Sequence, residues 1–285
     1  MRIANVDGRV KLVVSGGAVD IERASDGQFS SEPQAAYERF EELRDWAGGV
    51  GDAEEPFDPT GASSPVPAPR QIFGIGLNYA DHAAESGFTK PAAPVVFTKF
   101  ASSIAGAHTT VTIPPGSVDW EVEVVAVIGL TADSVPVSRA WDHVAGLTVG
   151  QDLSERELQR SGPAPQFCLA KSHHGFSPMG PYLVTIDEFE HPDDLELGCT
   201  VNGVTMQKGQ SRDMIFPVPE LVSYLSHIVT LWPGDIIFTG TPSGVGMGRT
   251  PPVWLHAGDV LESWIEGIGT ITQRFVEPAD AGQEG

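Results

Sequence analysis

The sequence predicts a mixed, β-dominated fold with few short helices and a small N-terminal α+β module. Three observations carry this reading. Helical periodicity is sparse, glycine and proline are plentiful at 32 and 23 residues, and valine-rich runs recur along the chain. With 285 residues, one large domain and a small appendage can share an ample buried core.

The elements follow in order. Val10–Val14 and Ala18–Ile21 flank Ser15-Gly16-Gly17, the pattern of a hairpin. From Pro33 to Trp46, Ala35, Tyr37, Phe40 and Leu43 fall on one face of a single amphipathic helix, ended by Gly48-Gly49. Residues 50–69 are rich in Pro, Gly, Ser and acids, the composition of a linker or long surface loop. The expected organisation is therefore a small N-terminal module with its linker at 1–66, the main domain at 67–277 and a disordered tail at 278–285.

The main domain opens with Gln71–Gly87, where a strand runs into a turn and then a short helix or ordered loop bears His82 and Glu85 at i and i+3, within reach of one another. Gly74-x-Gly76 lacks the third glycine and the βαβ context of a dinucleotide site. A later strand ends at Gln151-Asp152, and Ser154–Arg160 suggests a helix with Ser154 and Glu157 as a capping box. Arg156 and Gln159 would share one face of it near Asp152, and Lys171 follows the apolar run Phe167–Ala170. Asn202-Gly203 between two β-rich runs marks a two-residue hairpin, and a helix is expected over 219–229. The glycine-dense loop 240–248 lacks the Gly-Lys-Ser/Thr ending of a phosphate loop and suits backbone N–H groups brought up to a small anion.

The central stretch is Asp119–Gly129, a strand with two acids in its first half. Alternation puts Glu121 and Glu123 on one face with Val125 and Val127, and Val122, Val124, Ala126 and Ile128 on the other. Two unpaired carboxylates would not persist in so apolar a strand, because each costs several kcal/mol to desolvate and they repel. A bound cation resolves both problems, and oxygen-only ligands point to Mg²⁺ first, then Mn²⁺ or Ca²⁺. The competing reading, acids on a solvent-exposed strand end, stays open from this string alone.

The net charge of −21 argues against nucleic acid or an anionic membrane surface as partner. An anionic substrate would then need local cations to capture it. No apolar run approaches membrane-spanning length and no signal-peptide pattern opens the chain, so a cytoplasmic location is expected. Cys168 and Cys199 stand in no metal or redox spacing.

Five segments stand in a familiar order: Gly76–His82, Asp119–Glu123, Gln151–Gln159, Lys171-Ser172 with Ser177–Pro181, and Ile237–Gly246. Together they resemble the fumarylacetoacetate hydrolase family over about residues 70–275. The resemblance implies a β-roll catalytic domain, usually a homodimer, with Mg²⁺ or Mn²⁺ held by three carboxylates that match Glu121, Glu123 and Asp152. It also implies a small 2-oxo acid as substrate and places His82 and Glu85 where relatives carry a water-activating pair. Two departures are Gln151, where many members have Asn, and Phe100, where proline is common.

The mechanism expected on these residues is metal-dependent hydrolysis of a carbon–carbon bond in a 2,4-dioxo acid, of acylpyruvate or fumarylpyruvate type, through a stabilised pyruvate enolate. His82 would activate water, Glu85 would orient the His82 imidazole and support its positive charge, and Lys171 would stabilise or protonate the enolate. Arg156, Gln159, Thr241 and Tyr79, with His108, are candidates for lining the pocket and holding substrate. Arg156 could instead pair only with nearby acids, and Lys171 could be an ordinary snorkelling lysine. The rival reactions are a lyase or isomerase on the same scaffold, such as an oxaloacetate decarboxylase or tautomerase or a ring-cleavage diacid isomerase. A non-catalytic metal-binding assembly subunit is the alternative of another class.

Overall fold

The computed structural model describes every residue except 86, 88 and 280–285, so most of the expected C-terminal tail lies outside the described residues. Eleven strands form the large sheet. Its main path runs Gly17–Asp20, Arg9–Val14, Arg2–Val6, Ser177–Val184, Val144–Gln151, Val122–Ile128, Ile236–Phe238, Ile72–Gly76 and Val95–Thr98. A second sheet of five strands runs Val204–Gln210, Glu196–Val201, Val260–Ile265, Gly269–Val276 and His108–Thr112. Helices are few and short, as the sparse periodicity predicts.

The acidic strand Val122–Ile128 is buried along its whole length. Its two faces enter two separate cores. Val122, Val124, Ala126 and Ile128 pack with Leu197, Leu261, Ile271 and Phe275 of the second sheet and with Leu221, Val222 and Leu225 of the helix Val218–Ser226. Val125 and Val127 join Phe238, Met179 and Leu183 in the other core, with Ile3, Leu12, Val19, Tyr37 and Leu43 from the N-terminal region. Strict alternation thus explains why nearly every residue here is apolar. The regular strand begins one residue after Glu121, because Asp119 belongs to a short separate strand, Val118–Asp119, paired with Ser154–Glu155.

Residues 1–66 are joined to the rest by the same sheet. Arg2 and Ile3 pair with Val184 and Leu183. The stretch expected as linker contributes the short strand Ala62–Ser63, paired with Val6 and Asn5, and buries Val66 completely. The single helix expected over 33–46 is broken into a 3-10 turn, Gln34–Tyr37, and the helix Phe40–Ala47. At the break Tyr37 and Phe40 stack with ring centroids 5.9 Å apart, and Tyr37 Oη donates to Pro65 O at 3.0 Å. Tertiary packing here outweighs local periodicity. The hairpin at Asn202-Gly203 forms as expected, with φ of 51° and 76° at its two turn residues.

Candidate metal centre and active site

Antiparallel register brings the third acid to the first two. Val122 pairs with Gln151 and Glu123 with Gly150, so the chain leaving this strand carries Asp152 past Glu121, whose carbonyl accepts Asp152 N–H at 2.9 Å. Carboxylate oxygens of Glu121, Glu123 and Asp152 all lie within 4.8 Å of one another, and all three residues are buried. Ligand oxygens about 2.1–2.4 Å from one hard cation span that distance. The reading of acids on an exposed strand end is therefore overturned.

Cations surround the cluster unevenly. Lys171 Nζ donates to Glu121 Oε2 at 2.7 Å and Asp152 Oδ2 at 2.6 Å. Lys99 Nζ pairs with Asp152 Oδ1 and donates to Phe176 O at 3.1 Å. Arg156 Nη2 stands 2.7 Å from Glu121 Oε1 and 2.8 Å from Asp119 Oδ2, and Arg156 Nε donates to Asp119 at 2.9 Å. Four buried carboxylates thus face three buried cations. Of these four carboxylates Glu123 is the one without an ion pair among the described residues, and its Oε2 accepts a hydrogen bond from Gly240 N–H at 2.7 Å.

The electrostatic consequences diverge along the same face. Burial, reinforced by the neighbouring Asp152 and Glu121, raises Glu123 well above the ordinary glutamate range. Burial opposes ionisation of Glu121 too, but Lys171 and Arg156 hold its pKa down to about 2. Desolvation depresses Lys99, whereas Asp152 and Glu121 outweigh desolvation and keep Lys171 raised. A divalent cation fits this donor set: the oxygens are all hard, they converge, and Glu123 lacks the positive neighbour that its burial demands.

His82, Glu121, Glu123, Arg156, Gln159, Lys171 and Thr241 line one cavity of about 110 Å³. His82 sits on the short helix Ala80–Glu85, with Nδ1 2.9 Å from Glu85 Oε1. Glu85 in turn accepts Gly244 N–H at 2.9 Å. Arg156 Nη1 donates to Gln159 Oε1 at 3.0 Å, as their shared helical face predicts. Thr241 reaches the wall, but its hydroxyl donates to Val122 O at 2.8 Å and accepts from Gln207 Nε2 at 2.7 Å. Tyr79 lies elsewhere, in a depression with Asp81, Lys208 and Asp213. His108 is not part of the cavity lining, and neither is the fully buried Asp152.

Several expectations are corrected. The cap of the helix Arg156–Gln159 is Glu155, which accepts from Glu157 N–H and Leu158 N–H, while Ser154 Oγ donates to Asp152 O. The loop 240–248 does not bring its N–H groups to a free anion. Gly240, Gly244 and the Gly246-Met247 pair donate to Glu123, Glu85 and Asp119, because these buried carboxylates need donors themselves. Gln151 does not line the cavity. Its buried amide accepts Glu121 N–H at 2.8 Å and donates to Ser263 Oγ at 2.8 Å, fixing the ligand's backbone. Phe100 is half exposed and outside the cavity.

Asp119 and Lys99 were not predicted as site residues. Asp119 opens the acidic stretch itself, which was a usable signal. Lys99 follows the strand Val95–Thr98, where a lysine signals nothing until the fold sets it against Asp152, 53 positions away.

A family model for the fumarylacetoacetate (FAA) hydrolase C-terminal region matches residues 71–276. A mitochondrial oxaloacetate tautomerase of Bos taurus is 43% identical over 215 residues, spanning 75% of this chain and 68% of that protein. A crystal structure of a protein provisionally named HpcE, from Mycobacterium smegmatis, is 54% identical with a TM-score of 0.93, covering 98% of this chain and 100% of the other. Maleylpyruvate hydrolase from Sphingobium sp. SYK-6, crystallised with a manganese(II) ion and pyruvate, is 27% identical with a TM-score of 0.79 over 98% of this chain and 100% of that one. With its strand-rich fold and buried Glu-Glu-Asp cluster, the chain belongs to the fumarylacetoacetate hydrolase family of enzymes.

Proposed function

We propose that this enzyme moves a proton at C3 of a small 2-oxo acid, with keto–enol tautomerisation of oxaloacetate as its reaction. The observation that carries this is the His82–Glu85 pair in the wall of the cavity that the carboxylate cluster floors. Resemblance to the oxaloacetate tautomerase supports this reaction over the hydrolysis expected from sequence.

Glu121, Glu123 and Asp152 would hold a divalent ion, Mn²⁺ or Mg²⁺. When bound, that ion supplies a Lewis acid for the carboxylate and 2-oxo oxygens of the substrate. Glu85 accepting from His82 Nδ1–H leaves Nε2 with the lone pair, the base that takes the C3 proton. Glu85 then stabilises the imidazolium, and the same nitrogen returns the proton to carbon or oxygen. Lys171 has three N–H donors and spends two on Glu121 and Asp152, leaving one for the negative charge that develops on the substrate oxygen. Gln159, whose carbonyl oxygen is taken by Arg156, offers its amide N–H groups to the substrate carboxylate.

Hydrolysis of an acylpyruvate-type bond is the second reading, favoured by the likeness to maleylpyruvate hydrolase. Nε2 of His82 would there take the proton of water. We infer that the protein works as a cytoplasmic homodimer, to be checked by light scattering and cell fractionation. The reaction is decided by adding purified, Mn²⁺-supplemented enzyme to oxaloacetate and to acetylpyruvate and fumarylpyruvate. Faster approach to the keto–enol equilibrium, lost on chelation and without cleavage of the diketo acids, is expected. Pyruvate released from a diketo acid, with no effect on oxaloacetate enolisation, would move the protein to the hydrolase reading.

A further inference from the structure

The cavity has one cation that the cluster does not use. Arg156 and Lys171 are buried and committed to Asp119, Glu121 and Asp152. Arg160 is different. It follows the helix Arg156–Gln159, is exposed, lines the same cavity, and has no carboxylate within ion-pair reach among the described residues. Its guanidinium instead reaches across to the loop, where Nη2 stands 3.9 Å from Met247 Sδ. A thioether is a weak acceptor, so this contact exchanges readily for a carboxylate.

The surroundings say what kind of group would make that exchange. The cavity's remaining wall includes Leu77, Phe97, Phe167 and Met247, which offer no side-chain partner to a charged group. A second carboxylate on the substrate would be desolvated among them at high cost unless a guanidinium met it. The chain's net charge of −21 repels a dianion further, so an unpaired arginine in the cavity wall is the local attraction such a ligand needs.

We propose that Arg160 recognises the far carboxylate of a dicarboxylic 2-oxo acid and so selects diacids over monoacids. This rests on the reading of the carboxylate cluster as the site for the 2-oxo acid end. Arg160 is a specificity residue here, and His82 remains the base.

The test compares oxaloacetate with 2-oxobutanoate, which has the same four-carbon chain and a methyl group in place of the far carboxylate. Binding of each to Mn²⁺-loaded protein is measured by calorimetry at low substrate turnover, alongside the KM for oxaloacetate enolisation, in the parent, Arg160→Gln and Arg160→Lys. Arg160→Gln is expected to weaken oxaloacetate roughly 10–100-fold, leave 2-oxobutanoate within about twofold, and keep kcat within a few-fold, with Arg160→Lys intermediate. Equal losses for both ligands would mark a merely structural role and overturn the proposal, as would no loss for either. The underlying reading fails separately. If the parent binds 2-oxobutanoate and oxaloacetate equally with and without Mn²⁺, the 2-oxo acid end is not held at the carboxylate cluster.

Discussion

At the residue scale, His82 and the three acids divide the labour in a way that single substitutions separate. Replacing His82 by Ala would remove the proposed base and leave the carboxylates in place. Turnover is expected to fall roughly 10²–10⁴-fold with Mn²⁺ affinity retained, read by calorimetric titration of the metal. Loss of metal with turnover intact would reverse these roles. Glu123 makes a prediction about pH. A carboxyl group whose pKa is raised on folding keeps a proton that the unfolded chain has lost, so stability falls as pH climbs from the ordinary glutamate range towards the raised value. Metal-free Glu123→Gln should therefore be more stable than the metal-free parent at about pH 8, and the two should converge near about pH 4. Urea midpoints in chelator across that range give the answer, and parallel curves would contradict it. The sequence shows Glu121 with Glu123 and His82 with Glu85 because each pair sits within three residues. Asp119 to Arg156 and Val122 to Gln207 span 37 and 85 positions, so their pairing waits on the fold.

At the scale of elements, the loop after the strand Ile236–Phe238 is where backbone conformation and chemistry meet. Gly244 has φ of +106°, and a Cβ there would lie 2.3 Å from Met206 O. Its N–H also anchors Glu85. Gly244→Ala should cost ~1–3 kcal/mol of stability and lower turnover as the His82–Glu85 pair loosens. Gly203→Ala serves as the comparison, since that turn has φ of +76° but nothing within 4 Å of an added Cβ. A smaller shift in melting temperature and unchanged turnover are expected there. Strands were the readable elements because burial on both faces leaves a short, near-continuous apolar run rich in valine, as Val122–Ile128 demonstrates. Helix ends were less so: the helix starts at Arg156, so Glu155 rather than Ser154 stands at the capping position, and Ser154 Oγ is bonded to Asp152 O.

For the whole molecule, the N-terminal strands close one side of a core whose other side carries Val125, Val127 and Phe238. Deleting residues 1–20 would uncover the Ser177–Val184 edge and remove Ile3, Leu12 and Val19 from that core. The expected result is little soluble protein, and a folded, metal-binding truncation would instead show that the main domain does not depend on these three strands. Composition alone marked 1–66 as a separate module, since nothing in its polar linker announces that Ala62–Ser63 will pair with the first strand. The loop amides have one further consequence. Gly240, Gly244, Gly246 and Met247 tether Glu123 of the carboxylate cluster, the His82 partner Glu85 and the Arg156 counter-ion Asp119 to one short length of backbone. Those three carboxylates therefore share an opening event. The amide protons of Gly240, Gly244, Gly246 and Met247 should exchange with deuterated solvent at a common rate, and Mn²⁺ bound at the Glu121, Glu123 and Asp152 cluster should slow all four together.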